Sequence, residues 1–176
     1  MTQTFPWFDS YPAGCPHEID PDRYASIPAV LDEIAARYPN NVGYTNMGCD
    51  LTYSRAAALT KDFAAYLQSL GLQPGDRVAI MMPNLLQYVI AMYACLRAGY
   101  IVVNINPLYT SREVNGTLRD SEAKAIIIIE NFAKTLQSAL DGTKCEHIVT
   151  TAVGDLFPFF KRTLVNFVVR HVKKMV

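Results

Sequence analysis

The sequence has no CxxC pair, no glycine-rich loop, no apolar run of membrane-spanning length, and no acidic residue in its last twenty-one positions. Each absence excludes something. Cys15, Cys49, Cys95 and Cys145 are scattered and none has a His at ligand spacing, so no zinc site is expected. No basic-then-apolar leader opens the chain, so no secretory signal is read and a reducing cytoplasm is expected. The first βα turn, Met81-Met82-Pro83-Asn84, offers no GxGxxG, which argues against a dinucleotide-binding domain. Nothing repeats at a fixed period. The net charge is zero, and no nucleic-acid partner is expected.

That zero hides a split. Residues 1–155 carry eleven Lys/Arg and sixteen Asp/Glu, whereas residues 156–176 carry five Lys/Arg and no acid. A body of about −5 and a tail of about +5 suggest that the tail interacts with something. Half of the 176 residues are apolar, enough for one globular core.

The stretch from Asp76 to Glu113 organises the rest. Arg77 to Met82 is a short apolar run between Pro74-Gly75 and Pro83-Asn84, as in a strand buried on both faces. Asn84 is the expected N-cap of the next helix, with Gln87 reaching back to the free amide. From Leu85 to Ala98 that helix is apolar nearly all round, hence buried, but shorter than the roughly 20 residues of a membrane span. Gly99 suits the left-handed position after its end, and Tyr100 to Val103 is expected as a second buried strand. Strand, crossover helix and strand make a right-handed βαβ unit, the seed of a parallel sheet. Thr110 and Glu113 read as a capping box for a further helix. The turn Asn104-Ile105-Asn106-Pro107 falls at the carboxyl end of the second strand, where open α/β sheets bind ligands. Asn104, Asn106 and Pro107 either shape that turn or line a channel wall.

The remaining elements follow from punctuation. Residues 1–25 read as an extended arm, with Trp7, Phe8 and Tyr11 expected to staple it to the body. Ser26 caps a helix ending near Tyr38, with Val30, Leu31, Ile34 and Ala35 on its apolar face. Met47-Gly48 marks a hairpin, and Thr52 caps a helix that packs through Leu59, Phe63, Tyr66 or Leu67, and Leu70. Ala125 to Ile129 is an unbroken β-branched run, expected as a buried parallel strand. Phe132 to Leu140 reads as a short helix and His147 to Thr151 as a last strand, with His147 a structural residue. The fold class is therefore α/β, a doubly wound and largely parallel sheet with flanking helices over residues 26–155.

Residues 156–176 read as a basic amphipathic helix. Leu164, Phe167, Val168, Val172 and Met175 share one face, while Arg162, Arg170, Lys173 and Lys174 lie on the other and Lys161 is off the pattern. Such a helix packs on its own sheet, lies in an anionic membrane interface, or meets a protein partner. Phe157, Phe159, Phe160, Lys161, Arg162, Phe167, Arg170, Lys173 and Lys174 form the candidate membrane or acyl-entry surface.

LTYSRA at Leu51 to Ala56 and LRAGYIVVNINP at Leu96 to Pro107 resemble two core motifs of the acyl-adenylate-forming enzymes. YPAGCPHEIDPDRY at Tyr11 to Tyr24, GDRVAIMMPNLLQY at Gly75 to Tyr88, NPLYTSRE at Asn106 to Glu113 and the tail VNFVVRHVKKMV are similar to one branch, the bacterial long-chain fatty acid–CoA ligases of the FadD type. Arg55 departs from the Glu usual in the first motif. The resemblance implies a large N-terminal domain, of which this chain is the first subdomain. It implies a reaction in which ATP and a long-chain fatty acid give an acyl-adenylate, with Mg²⁺, and CoA then takes the acyl group. The family's phosphate loop, a Ser/Thr/Gly-rich run ending in Lys-Gly, has no counterpart among the nine isolated glycines. The expectation is therefore the N-terminal part of a larger ligase, truncated in its last helix. It carries no catalytic, cofactor-binding or metal residue and is inactive alone. The alternative is a stand-alone lipid- or membrane-binding module. As partners, the resemblance implies fatty acid and CoA; peripheral membrane contact through the basic tail, a homodimer and a cytoplasmic location peripheral to the inner membrane are further expectations.

Overall fold

The computed structural model describes residues 5–176, so residues 1–4 of the expected arm lie outside the described residues. The arm's aromatics pack on one another. Phe5 stacks on Trp7 at 4.5 Å and Phe8 on His17 at 4.2 Å, and Tyr11 packs edge-on to both Phe8 and His17. Aromatics close in sequence thus satisfy one another, and Trp7 stays half exposed.

Helix α1 (Ile27–Arg37) starts as its sequence dictates: the Ser26 hydroxyl accepts from the Ala29 amide, and Pro28 sits in the first turn, where no partner for its missing N–H is needed. Strands β1 (Val42–Asn46) and β2 (Cys49–Thr52) pair antiparallel. Met47 and Gly48 join them with φ of 49° and 68°, the left-handed pair that matches hairpin twist. Thr52 accepts from the Arg55 amide and opens α2 (Tyr53–Ser69). Leu67 is its inward residue and Tyr66 stays 47 % exposed.

A four-stranded parallel sheet follows, built from β3 (Arg77–Met81), β4 (Ile101–Asn104), β5 (Ala125–Ile129) and β6 (His147–Thr151) in the order β4-β3-β5-β6. Val78 pairs with Val102, and Ala125 to Ile129 pair residue by residue with His147 to Thr151, all parallel. Helix α3 (Leu86–Arg97) connects β3 to β4 on one face, while α4 (Ser111–Ser121) and α5 (Ala133–Gln137) cover the other. The chain passes from β4 back across β3 to β5, which gives the sheet its doubly wound form. Every residue of β5 is buried. One core joins Leu67, Val78, Ile80, Ala94, Cys95 and Ile127, and the other joins Ala79, Met81, Val114, Leu118, Ile126 and Ile128.

Several local expectations need correction. Leu85, not Asn84, precedes α3, and no side chain caps it. Gln87 turns inward instead of reaching back, because two carbonyls sixty-odd residues later need a donor. Strand β4 is not buried on both faces, since the return across β3 leaves it at the sheet edge with Ile101 half exposed. Helix α5 is shorter than Phe132 to Leu140, because a 3-10 turn over Glu130–Phe132 takes up its start. Elsewhere the capping box of α4 is complete, with the Thr110 amide donating to Glu113 and the Glu113 amide donating to Thr110.

Candidate functional site

Strands β3 and β5 are neighbours, yet their outgoing loops run to opposite sides, to β4 and to β6. Their carboxyl ends therefore form the switch point at which open α/β sheets take ligands. The turn after β4 flanks it. Asn104 accepts from the Tyr88 hydroxyl at 3.1 Å, and the Asn106 carboxamide oxygen accepts from the Leu108 amide at 3.0 Å. Both side chains are thus engaged in shaping the turn, with Pro107 half-buried between them and exposed Leu108.

The other side of this edge is a polar clasp. Asp155 accepts from the Ala152 amide at 2.7 Å and the Thr151 hydroxyl at 3.0 Å through one oxygen, and from Asn166 through the other. Asn166 in turn accepts from the Gly154 amide at 2.8 Å. Gln87, 9 % exposed, donates to the carbonyls of Ala152 and Val153. That arrangement fixes its amide orientation, since the flipped form would set oxygen against two carbonyls. Its own oxygen is buried without a partner among the described residues. These groups fasten the end of β6 to the tail helix and to α3. Sequence reading missed the clasp. Gln87 acts across sixty-odd residues of chain, Asp155 and Asn166 meet across a turn with no motif of its own, and only Gly154 beside an acid hints at a tight corner.

The tail begins at α6 (Phe159–Phe167) and continues as a π-helical turn over Val168–Val172. The candidate surface residues do not act as one set. Phe157 is buried against Cys49, Leu51, Leu86 and Ile90. Lys161 donates to the Met47 carbonyl at the hairpin tip and lies 5.5 Å from the Phe157 ring centre. Arg170 is held by both oxygens of Glu130, with its Nη2 at 2.7 Å. Those three are consumed within the chain. Phe160, Leu164 and Phe167 form a stripe along α6 that is 85 %, 64 % and 55 % exposed, flanked by exposed Phe159, Val172 and Met175. Arg162 stacks over Phe159, and Lys173 and Lys174 are exposed. The face of α6 that turns inward is the one bearing Asn166 and Val165, so its apolar face looks out.

Two clefts flank β6. One, of about 400 Å³, lies on the α2–α3 face between Phe63, Ile90, Val149 and Leu156. The other, of about 540 Å³, lies on the α5 face between Ile128, Leu136, Leu140 and Ile148. The titratable groups are poised for structure. The Arg97 guanidinium, bidentate to Asp32 at 2.7 and 2.9 Å, holds that carboxyl below its ordinary range. Burial pushes the Cys95 thiol up to about 12, far from the thiolate that nucleophilic chemistry requires. His147 makes no side-chain hydrogen bond among those described, and it sits at the amino end of β6, away from the ligand edge. Among the described residues no three His, Cys, Asp or Glu side chains converge as a metal site.

Fold and edge together define a doubly wound α/β domain whose loops gather at the carboxyl ends of its strands. Comparison gives the family: residues 31–174 match the AMP-binding enzyme family, and the chain belongs to it. It is 50 % identical over 171 residues to a long-chain-fatty-acid–CoA ligase of Escherichia coli O157:H7, covering 97 % of this chain and 30 % of that protein. A Bacillus subtilis (strain 168) ligase of the same description is 38 % identical, covering 93 % of this chain and 29 % of that one. The chain thus spans about 30 % of the length of the curated relatives it matches. Among solved structures, a Mycobacterium tuberculosis fatty acyl CoA synthetase aligns with a TM-score of 0.66 at 26 % identity, over 72 % of this chain and 26 % of that one. A long-chain-fatty-acid-CoA ligase from Archaeoglobus fulgidus aligns with a TM-score of 0.69 at 23 % identity, over 80 % and 30 %, and supports the fold alone.

Proposed function

We propose that this chain is the N-terminal part of a long-chain fatty acid–CoA ligase. In that reaction the fatty acid carboxylate attacks the α-phosphorus of ATP, pyrophosphate leaves, and the CoA thiol then displaces AMP to give the acyl-CoA. The observation that carries the reading is the 50 % identity running through 97 % of the chain. ATP, Mg²⁺ and CoA are the groups that chemistry uses. The described residues do not fit them: no acid cluster would hold the metal, and no run of backbone amides in a glycine-rich loop would cradle phosphate. No step of the reaction is assigned to a residue of this chain.

Its role is scaffold. The switch-point edge, with the Asn104–Pro107 turn, forms one wall of the acyl and CoA channel. The stripe of Phe160, Leu164 and Phe167 with Arg162, Lys173 and Lys174 is a peripheral contact for the anionic face of the inner membrane. The protein is a homodimer in the cytoplasm. Grafting residues 31–174 into the Escherichia coli relative in place of its own matching segment tests the assignment. The chimera is expected to ligate palmitate to CoA. A folded chimera that makes no acyl-CoA, or an isolated chain that forms acyl-adenylate by itself, would overturn the reading.

A further inference from the structure

We infer that residues 168–176 form a strap latched across the carboxyl end of β5 by Arg170 and Glu130, and that an anionic lipid surface unlatches it into a straight continuation of α6. This switch rests on the membrane contact proposed above. The backbone of the strap departs twice from the α-helix. Val168–Val172 wind as a π turn, with the Lys173 amide donating to the Val168 carbonyl at 2.8 Å. Lys174 then takes the left-handed conformation at φ 48°, and the Met175 amide donates to the Val169 carbonyl at 3.1 Å. Nothing in the sequence asks for either departure. The stretch holds no Gly, Pro or Asn, and a left-handed Lys is strained.

Contact with the sheet offsets that cost. Glu130 and Asn131 follow β5 directly, at the switch-point edge. Glu130, with its side chain 16 % exposed, accepts from Arg170 Nε at 2.9 Å and Nη2 at 2.7 Å. Asn131 donates to the Met175 carbonyl at 3.0 Å. The sequence pattern describes the other state. Wound as a regular α-helix, the tail sets Leu164, Phe167, Val168, Val172 and Met175 on one face, and Arg162, Arg170 and Lys173 on the other. An anionic interface suits that winding. Its phosphates replace Glu130 as the partner of Arg170, and its apolar layer takes the other face. The surface thus selects between two windings by its differential affinity for them.

The Cα and Cβ chemical shifts of Lys174 test this on residues 1–176, because they separate left-handed from α-helical backbone. In buffer the wild type is expected to be left-handed there. Glu130→Gln and Arg170→Gln each remove half of the latch and change the net charge in opposite directions. Both should turn Lys174 α-helical, whereas Glu33→Gln on α1 should not. Bicelles containing phosphatidylglycerol should turn the wild type α-helical too, and phosphatidylcholine bicelles should not. Glu130→Gln should bind the phosphatidylglycerol bicelles about two- to fivefold more tightly than Glu33→Gln, since no latch has to break. Unchanged amide peaks of β3 and β5 check that each variant folds. Lys174 α-helical in the wild type in buffer, or left-handed in both latch variants, overturns the switch. So does a wild type that binds phosphatidylglycerol bicelles and stays strapped, which spares the membrane contact. Bicelles that do not bind the wild type overturn the membrane contact and, with it, the switch.

Discussion

Gly154 occupies a position where the structure leaves no room for a side chain. A Cβ there would lie 2.7 Å from Asn166 Oδ1 and 3.1 Å from the Arg162 carbonyl. Gly154→Ala must therefore push α6 away or break the clasp, and about 1–3 kcal/mol of stability should be lost in urea denaturation. Asn166→Ala leaves the Gly154 amide buried without an acceptor and should cost a similar amount. Gln87 gives a sharper contrast. Gln87→Glu sets a carboxylate against the carbonyls of Ala152 and Val153, and its midpoint should fall well below that of Gln87→Met, which removes the orphaned oxygen along with the donor. None of this was legible in the sequence. Gln87 sits three residues after Asn84 in the pattern of a capping box, so local reading sent it backwards along its own helix. Its true partners lie in a segment that only the folded chain brings near.

At the level of elements, strands β3 and β5 were legible because Val78 to Met81 and Ala125 to Ile129 are apolar without alternation, which strands covered on both faces require. The exposure of β4 was not legible, since strand order, not composition, decides which strand is last. The fastening of α1 to α3 through Asp32 and Arg97 likewise depends on two helices meeting. It also predicts a pH dependence. The folded Asp32 pKa is lowered, so its contribution is full above the unfolded value of about 3.9 and is lost as pH falls through the folded value. Both side chains are partly solvated, so the effect is modest, about 1 kcal/mol or less. Arg97→Met should flatten this share of the acid limb of a stability–pH curve measured between pH 5 and 2. At the start of α4, Thr110→Ala removes the cap and should cost about 1 kcal/mol, read by thermal denaturation.

Taken whole, the described residues form a layer with an unusual periphery: an outward-facing apolar stripe, and two clefts flanking β6. Heptad-like spacing told which tail residues share a face but could not tell which face would turn inward. Asn166 decided that, by meeting Asp155 and Gly154. The membrane test is accordingly narrower than the tail's charge suggests. Changing Arg162, Lys173 and Lys174 to Gln should lower co-sedimentation with anionic vesicles, at about 1 kcal/mol per cation. Changing Lys161 and Arg170 should act on stability instead, because their charges are already engaged by Met47 and Glu130.

The deep burial of Cys95 on the inner side of α3 has a practical consequence. Its thiol meets an alkylating reagent only when the helix lifts from the sheet, whereas Cys15 on the surface reacts at once. A mass-spectrometric time course at fixed pH would thus carry its own reference: the first adduct sets the zero, and the lag before the Cys95 adduct times the opening of the core.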